Sequence, residues 1–121
     1  MPQRNALGAR AEEAARAYFI SRGFAIVDRN LRVGRLELDL VLRDGPVIVV
    51  VEVRTRGPSS WQRALDSVDG RKRARVRAAG ARLWRARFAR DPSAERMRFD
   101  IVTVAWSPDG EPLIEHVKAA F

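Results

Sequence analysis

Leu36-Glu37-Leu38-Asp39-Leu40-Val41-Leu42, a turn signal at Asp44-Gly45, and Val47-Ile48-Val49-Val50-Val51-Glu52-Val53 together specify a β-hairpin. In the first arm Leu36, Leu38, Leu40 and Leu42 fall on one side, Glu37 and Asp39 on the other. The second arm is β-branched almost throughout, as expected of a strand covered on both faces. With Asp44 and Gly45 as the two turn residues, Glu37 faces Glu52 and Asp39 faces Val50. Side chains alternate along a strand, so Glu37, Asp39, Glu52 and Arg54 then project from the same side of the sheet. Opposed carboxylates with Cβ atoms ~5 Å apart repel one another, and apolar surroundings raise that cost. A divalent cation would offset it, because hard cations such as Mg²⁺ take one or two carboxylates plus water and phosphate oxygens. The alternative is that the strand ends emerge into solvent and Arg35, Arg54 or Arg56 neutralises the acids.

Outward from the hairpin the coarse order is αβββαββ. A first helix is expected from Ala6 to Arg22, with Leu7, Ala11, Ala14, Ala15 and Tyr18 on one face and Gly23 as its stop. On it, Glu13 points to solvent. Glu12 borders the apolar stripe beside Phe19, where it either leans over a sheet end or pairs with Arg16 at i+4. Phe24 to Val27 reads as a short edge strand. Gly57-Pro58-Ser59-Ser60 is a loop, and Asp69 caps a second helix reaching about Arg90. Phe99 to Trp106 and Leu113 to Val117 read as strands joined by a turn at Ser107-Pro108-Asp109-Gly110. These elements predict one α/β sandwich over residues 1–121, with a mixed central β-sheet flanked by helices.

The chain has 121 residues, 46% apolar and 31% charged, which excludes disorder and fibrous classes. It contains no cysteine, so disulfides, thiolate zinc sites and cysteine nucleophiles are excluded. The longest apolar run, Pro46 to Val51, is too short to span a bilayer, and the N-terminus lacks the apolar stretch of a secretory signal. The expectation is a cytoplasmic protein. No P-loop or dinucleotide fingerprint is present. His116 is the sole histidine, with no serine or acid at a recognisable catalytic spacing, and is expected to be a structural hydrogen-bonder.

Twenty-three Lys and Arg against 15 Asp and Glu give a net charge of +8, which points to a polyanionic partner. Only Lys72 and Lys118 are lysines. In the second helix Val68, Lys72, Val76, Ala79 and Leu83 form one stripe, so Lys72 points along the buried face, either toward the acidic cluster or snorkelling. Around the stripe lie Arg71, Arg73, Arg75, Arg77, Arg82 and Arg85, with no acid between Gly70 and Arg90. Such a face suits a phosphate backbone, with an anionic membrane surface as the competing reading. Trp84 and Phe88, interleaved among the arginines, either pack on protein or stack on a base.

Gly8, Glu12-x-x-Ala15-x-x-Tyr18-Phe19, Gly23-Phe24, Asn30-x-Arg32, Glu37-Leu38-Asp39-Leu40 and Val51-Glu52-Val53-Arg54-Thr55-Arg56 follow one another along the chain. Val68 with Lys72, Arg98-Phe99-Asp100, and His116 with Ala120-Phe121 complete the series. In this order and spacing the sequence resembles the YraN family, small bacterial proteins with a restriction-endonuclease-like, Holliday-junction-resolvase-like fold. The resemblance implies a PD-(D/E)xK-type site with Asp39 and Glu52 as metal ligands, Glu12 as a helical acid, Arg54 in the lysine's place and Glu37 in support. Two departures stand out. Leu36 replaces a glycine, and Arg54 replaces a lysine. Arginine stays protonated, so it can stabilise an anionic transition state but cannot act as a base. Lys72, aimed at the same face, is the candidate for that missing role.

The resulting expectation is an endonuclease-like hydrolase of phosphodiester bonds, dependent on Mg²⁺ or Mn²⁺. Its partner would be nucleic acid, DNA before RNA and branched DNA in particular, and not a membrane. Resolvase-like folds acting on symmetric junctions often work as dimers, which leaves a homodimer open. The runner-up is a catalytically degenerate nucleic-acid-binding module of the same fold.

Overall fold

The computed structural model describes residues 6–56 and 70–121. Along the chain come α1 (Ala6–Ser21), β1 (Ala25–Val33), β2 (Leu36–Asp44), β3 (Val47–Thr55), α2 (Gly70–Leu83), a π-helical turn (Trp84–Phe88), β4 (Arg96–Trp106) and β5 (Pro112–Val117). The strands form one sheet in sequential order, parallel only between β3 and β4. The sheet is therefore mixed, with one helix on each face. The loop at Gly57 to Ser60, the Asp69 cap and Val68 lie outside the described residues.

β3 is central, and every residue from Val47 to Val53 is buried. Its odd residues Val47, Val49, Val51 and Val53 join Ala11, Ala15 and Phe19 of α1, with Leu40, Leu42, Val102 and Val104. Ile48 and Val50 pack on the other face with Val76, Ala79 and Leu83 of α2. The stripe of α1 is thus centred on Ala11, Ala15 and Phe19, while Leu7, expected on it, is 47% exposed. Hydrogen bonds from Gly23 N–H to Ile20 O and from Phe24 N–H to Phe19 O close α1 at the expected position.

The hairpin register differs from the predicted one. Asp44 pairs with Val47, so Gly45 and Pro46 are the turn residues. Pro46 has no N–H to give to a closing pair, and Gly45 takes φ +59° at the first central position. The ladder is displaced by two residues. Glu37 is carried past Glu52, and it is Asp39 whose position falls opposite Glu52. A shift of two preserves which side each residue faces.

The strict alternation in β2 also fails. Leu40 and Leu42 belong to the α1 side, but Leu38 packs with Val41 on the α2 side. The break falls at Asp39, opposite Asn30 of β1, whose own register shift lies earlier, between Ile26 and Asp28. Arg29 pairs with Leu40 and Leu31 with Leu38, while Asn30 between them lies at φ +52°. Asparagine tolerates this left-handed conformation better than most side chains. β1 is also longer than expected, and it continues through this irregularity to Val33.

The α2 stripe holds, with Val76, Ala79 and Leu83 buried. Gly80 allows the close approach, since a Cβ there would stand 2.7 Å from the Phe99 ring. Beyond Leu83 the backbone widens, and Ala89 N–H reaches Trp84 O at 2.8 Å. The extra residue in that turn brings Phe88 back into the core. No helix among the described residues is long and apolar enough to cross a membrane.

Candidate functional site

The β2–β3 ladder ends at Leu40–Val51, and past it the two strands hold their acids between them. Asp39 Oδ2 accepts a hydrogen bond from Val53 N–H at 2.8 Å, so a side chain replaces the backbone ladder there. Glu52, on the same face of β3 as Ile48 and Val50, is fully buried. Arg54 follows two residues later, with Nη2 at 3.3 Å from Glu52 Oε1 and Nη1 at 3.9 Å from Asp39 Oδ2. Lys72, in the first turn of α2, places Nζ 3.5 Å from the same Glu52 oxygen. The other oxygen, Oε2, is buried and has no hydrogen-bond partner among the described residues. Two cations thus crowd one edge of the carboxylate while its opposite edge is bare.

Burial and the neighbouring Glu52 carboxylate push the Asp39 carboxyl up to about 7, against the Val53 N–H and Arg54, with Glu12 adding to the rise. Burial also raises Glu52, only partly countered by Lys72 and Arg54. Both shifts have one cause: negative charge withdrawn from water faster than fixed positive charge is supplied. Two perturbed acids side by side, one of them lining a cavity, mark a functional-site candidate.

α1 supplies the third acid. Glu12 Oε1 accepts from Asn30 Nδ2 at 3.0 Å, and Glu12, Asn30, Asp39, Arg16 and Arg29 line one cavity of about 330 Å³. Arg16, which spacing offered to Glu12, instead binds Glu13, and Glu13 is exposed as expected. The left-handed turn at Asn30 therefore does two things. It coils the strands so that Asp39 leaves both apolar layers, and it presents an amide to Glu12. Asn30 entered the sequence reading only as part of Asn-x-Arg; a lone asparagine inside a strand was the available signal.

The fold brings together Asp39, Glu52, Arg54 and Lys72, with Glu12 meeting Asp39 through the cavity. Glu37 does not face Glu52 as predicted, because the register carries Asp39 to that position and seats Glu37 across from Arg32 of β1. No three His, Asp or Glu side chains converge as a complete metal cage among the described residues. A cation held here would have two protein carboxylates and draw its remaining oxygens from water or substrate. The bare Glu52 Oε2 and the hard-oxygen donors fit that demand.

The α2 arginines divide between two flanks. Arg75 and Arg82 line a groove with Arg35 of the β1–β2 turn, while Arg77 and Arg85 line one with Arg96 of β4. Arg71 is exposed and Arg73 half-buried. His116 has an acid beside it after all: Nε2 lies 2.8 Å from Asp100 Oδ2, brought close by β4–β5 pairing across 16 positions of sequence. Arg98 and the Ala119 N–H complete the shell of that fully buried carboxylate. The cluster ties β5 and the chain up to Ala119 onto the sheet.

The family profile of the "Uncharacterised protein family UPF0102" matches residues 11–104. A UPF0102 protein of Sorangium cellulosum (strain So ce56) is 62% identical over 118 residues, covering 98% of this chain and 82% of its own. One of Frankia alni is 44% identical over 121 residues, covering 100% and 98%. One of Ectopseudomonas mendocina is 42% identical over 123 residues, again covering 100% and 98%. With its matched core spanning the hairpin, both acids and α2, the chain belongs to the UPF0102 family, also called the YraN family.

Proposed function

We propose that this protein is a metal-dependent phosphodiester hydrolase acting on nucleic acid, with a restriction-endonuclease-like fold. The observation that carries the reading is Glu52, fully buried beside Asp39 with one oxygen left bare. A buried, unpaired carboxylate oxygen is costly, and a Mg²⁺ or Mn²⁺ ion is the ligand whose chemistry suits it. Asp39 and Glu52 would hold that ion. When bound, it would supply charge neutralisation at the phosphate and a more acidic attacking water.

The remaining steps belong to the chain. Arg54 is permanently protonated and tethered at the carboxylates, so its free N–H groups stabilise charge developing on the phosphoryl oxygens. Lys72, whose Nζ lies 3.5 Å from the same Glu52 oxygen that Arg54 binds, is positioned to orient water at the site. Asn30 fixes Glu12 toward the Asp39 side, where it orients the entering nucleophile. DNA is the favoured substrate, branched or otherwise unpaired.

A second reading has its own observation. The Arg54 guanidinium reaches both Glu52 and Asp39, and so sits where a bridging cation would neutralise them. In that case the protein binds nucleic acid without cutting it. One experiment separates the two. Labelled single-stranded, duplex, flap and four-way-junction DNA, and RNA, are incubated with Mg²⁺, Mn²⁺ or EDTA. Metal-dependent cutting, lost in Asp39→Asn with binding retained or tighter, is the expected outcome. Unchanged cutting in Asp39→Asn would falsify the site. Binding without cutting, indifferent to metal and converted to cutting by Arg54→Lys, establishes the second reading.

A further inference from the structure

The two aromatic residues of the π-helical turn have different fates. Phe88 is buried, whereas Trp84 is half-buried and lines a groove of about 630 Å³ between α2 and the first residues of β4. One side of Trp84 packs on the α2-side core, with its ring centroid 6.0 Å from that of Phe88. The groove is lined by the apolar Met97 and Phe99 and by Arg77, Arg85 and Arg96, with a single acid, Glu95. Phe99 has its face taken already by the Arg77 guanidinium, 5.2 Å from the ring centroid. Trp84 is the ring left to a ligand.

We propose that this groove is a subsite for an unpaired nucleobase, stacked on Trp84, with Arg77, Arg85 and Arg96 on the flanking phosphates. The inference rests on the nucleic-acid reading above and adds the substrate class, a strand with unpaired bases. Three features carry it. A half-buried indole that packs on the core and lines a groove can serve as a stacking platform that accepts any base. Guanidinium groups beside apolar side chains match a flat apolar face bearing anions on both sides. A paired base inside a duplex is stacked between its neighbours and cannot enter such a groove.

The location agrees. Val50 pairs with Phe99 and Glu52 with Ile101, so the groove opens on the same sheet face as the buried glutamate. Phe99 and Arg96 stand two and five residues before Ile101, or about 7 and 17 Å along the strand at ~3.3 Å per residue. A strand of a few nucleotides spans that interval beside α2.

The test is fluorescence anisotropy with labelled single-stranded DNA and a blunt duplex of equal length, at one salt concentration, in EDTA so that no cleavage intervenes. Trp84→Leu keeps apolar packing and removes the stack. It should weaken single-strand binding about fivefold or more while changing duplex binding less than twofold. Trp84→Phe should restore most of the loss. Melting curves of each variant report folding, and should Trp84→Leu unfold, Trp84→Phe and Arg96→Ala carry the comparison. Single-strand affinity within twofold of the parent in Trp84→Leu, or an equal loss on duplex, overturns the subsite while leaving nucleic-acid binding intact. No binding to either DNA overturns the nucleic-acid reading itself.

Discussion

Asp39 and Asp100 are aspartates in strands of one sheet, and their surroundings drive their proton affinities in opposite directions. Burial pushes the Asp100 carboxyl up, but hydrogen bonds from His116, Arg98 and the Ala119 N–H more than offset it and hold its pKa below the ordinary value. Asp39 has one backbone donor and a carboxylate neighbour, and is pushed up to about 7. Through linkage the two acids have opposite signs. Asp39 binds its proton more tightly folded than unfolded, so its contribution to stability is full below about pH 4 and lost as pH rises toward 7. Glu52, also raised, acts in the same direction. Asp100 contributes stability that is present above the usual carboxylate range and lost as pH falls below it. Urea unfolding in EDTA at pH 5 and pH 8 should therefore show lower stability at the higher pH. In Asp39→Asn that difference should shrink by something of the order of 2 kcal/mol. An unchanged difference would mean that Asp39 is ionised across the whole range.

At the scale of elements, the β1–β2 pair is shaped by one residue. Asn30 holds φ +52°, and on either side of the Asn30–Asp39 position the strands present opposite faces to the two helices. The left-handed conformation costs an ordinary side chain about 1–2 kcal/mol, a β-branched one more, and glycine almost nothing. Asn30→Gly should unfold within ~1 kcal/mol of the parent in a denaturant titration, whereas Asn30→Val should lose about 2 kcal/mol. Equal stability of the two would show that the backbone can relax there without consequence. This position also marks the limit of what sequence periodicity conveys. The order of elements, the mixed sheet and the double-sided burial of β3 follow from composition and alternation, because those patterns are imposed by two packed layers. The switch of Leu38 to the α2 side does not, since a left-handed residue in a neighbouring strand produces it. The register missed by two for a related reason: Asp-Gly is the commoner turn pair, and the missing N–H of Pro46 moved the turn one residue on. Parity survived the shift, which is why Asp39, Glu52 and Arg54 still meet on one side although Glu37 no longer faces Glu52.

At the scale of the whole molecule, the charge of +8 is unevenly committed. On the α1 side the cations are engaged locally. Arg10 lies over Trp106 and Arg22 over Tyr18, and Arg16 and Arg29 bind Glu13. On the α2 side Arg77 lies over Phe99, whereas Arg75, Arg82 and Arg85 are exposed and have no carboxylate partner among the described residues. The composition of α2 announced this surface, but only the fold shows it divided over two flanks with the buried acids at its head. A polyanion docking there displaces one set of counterions per neutralised phosphate, which lowers the log–log salt slope of binding by about 0.9 for each contact removed on duplex DNA. Arg35→Ala, Arg75→Ala and Arg82→Ala combined should therefore flatten the slope for duplex binding by about 2 to 3. Arg10→Ala with Arg22→Ala should leave it within one. The measurement is affinity against salt concentration for the parent and both combined variants. Equal flattening by the two sets would spread the polyanion over both faces of the sheet. A change confined to the first set would make the α2 side the working face, with the strand led past Lys72 to the carboxylates.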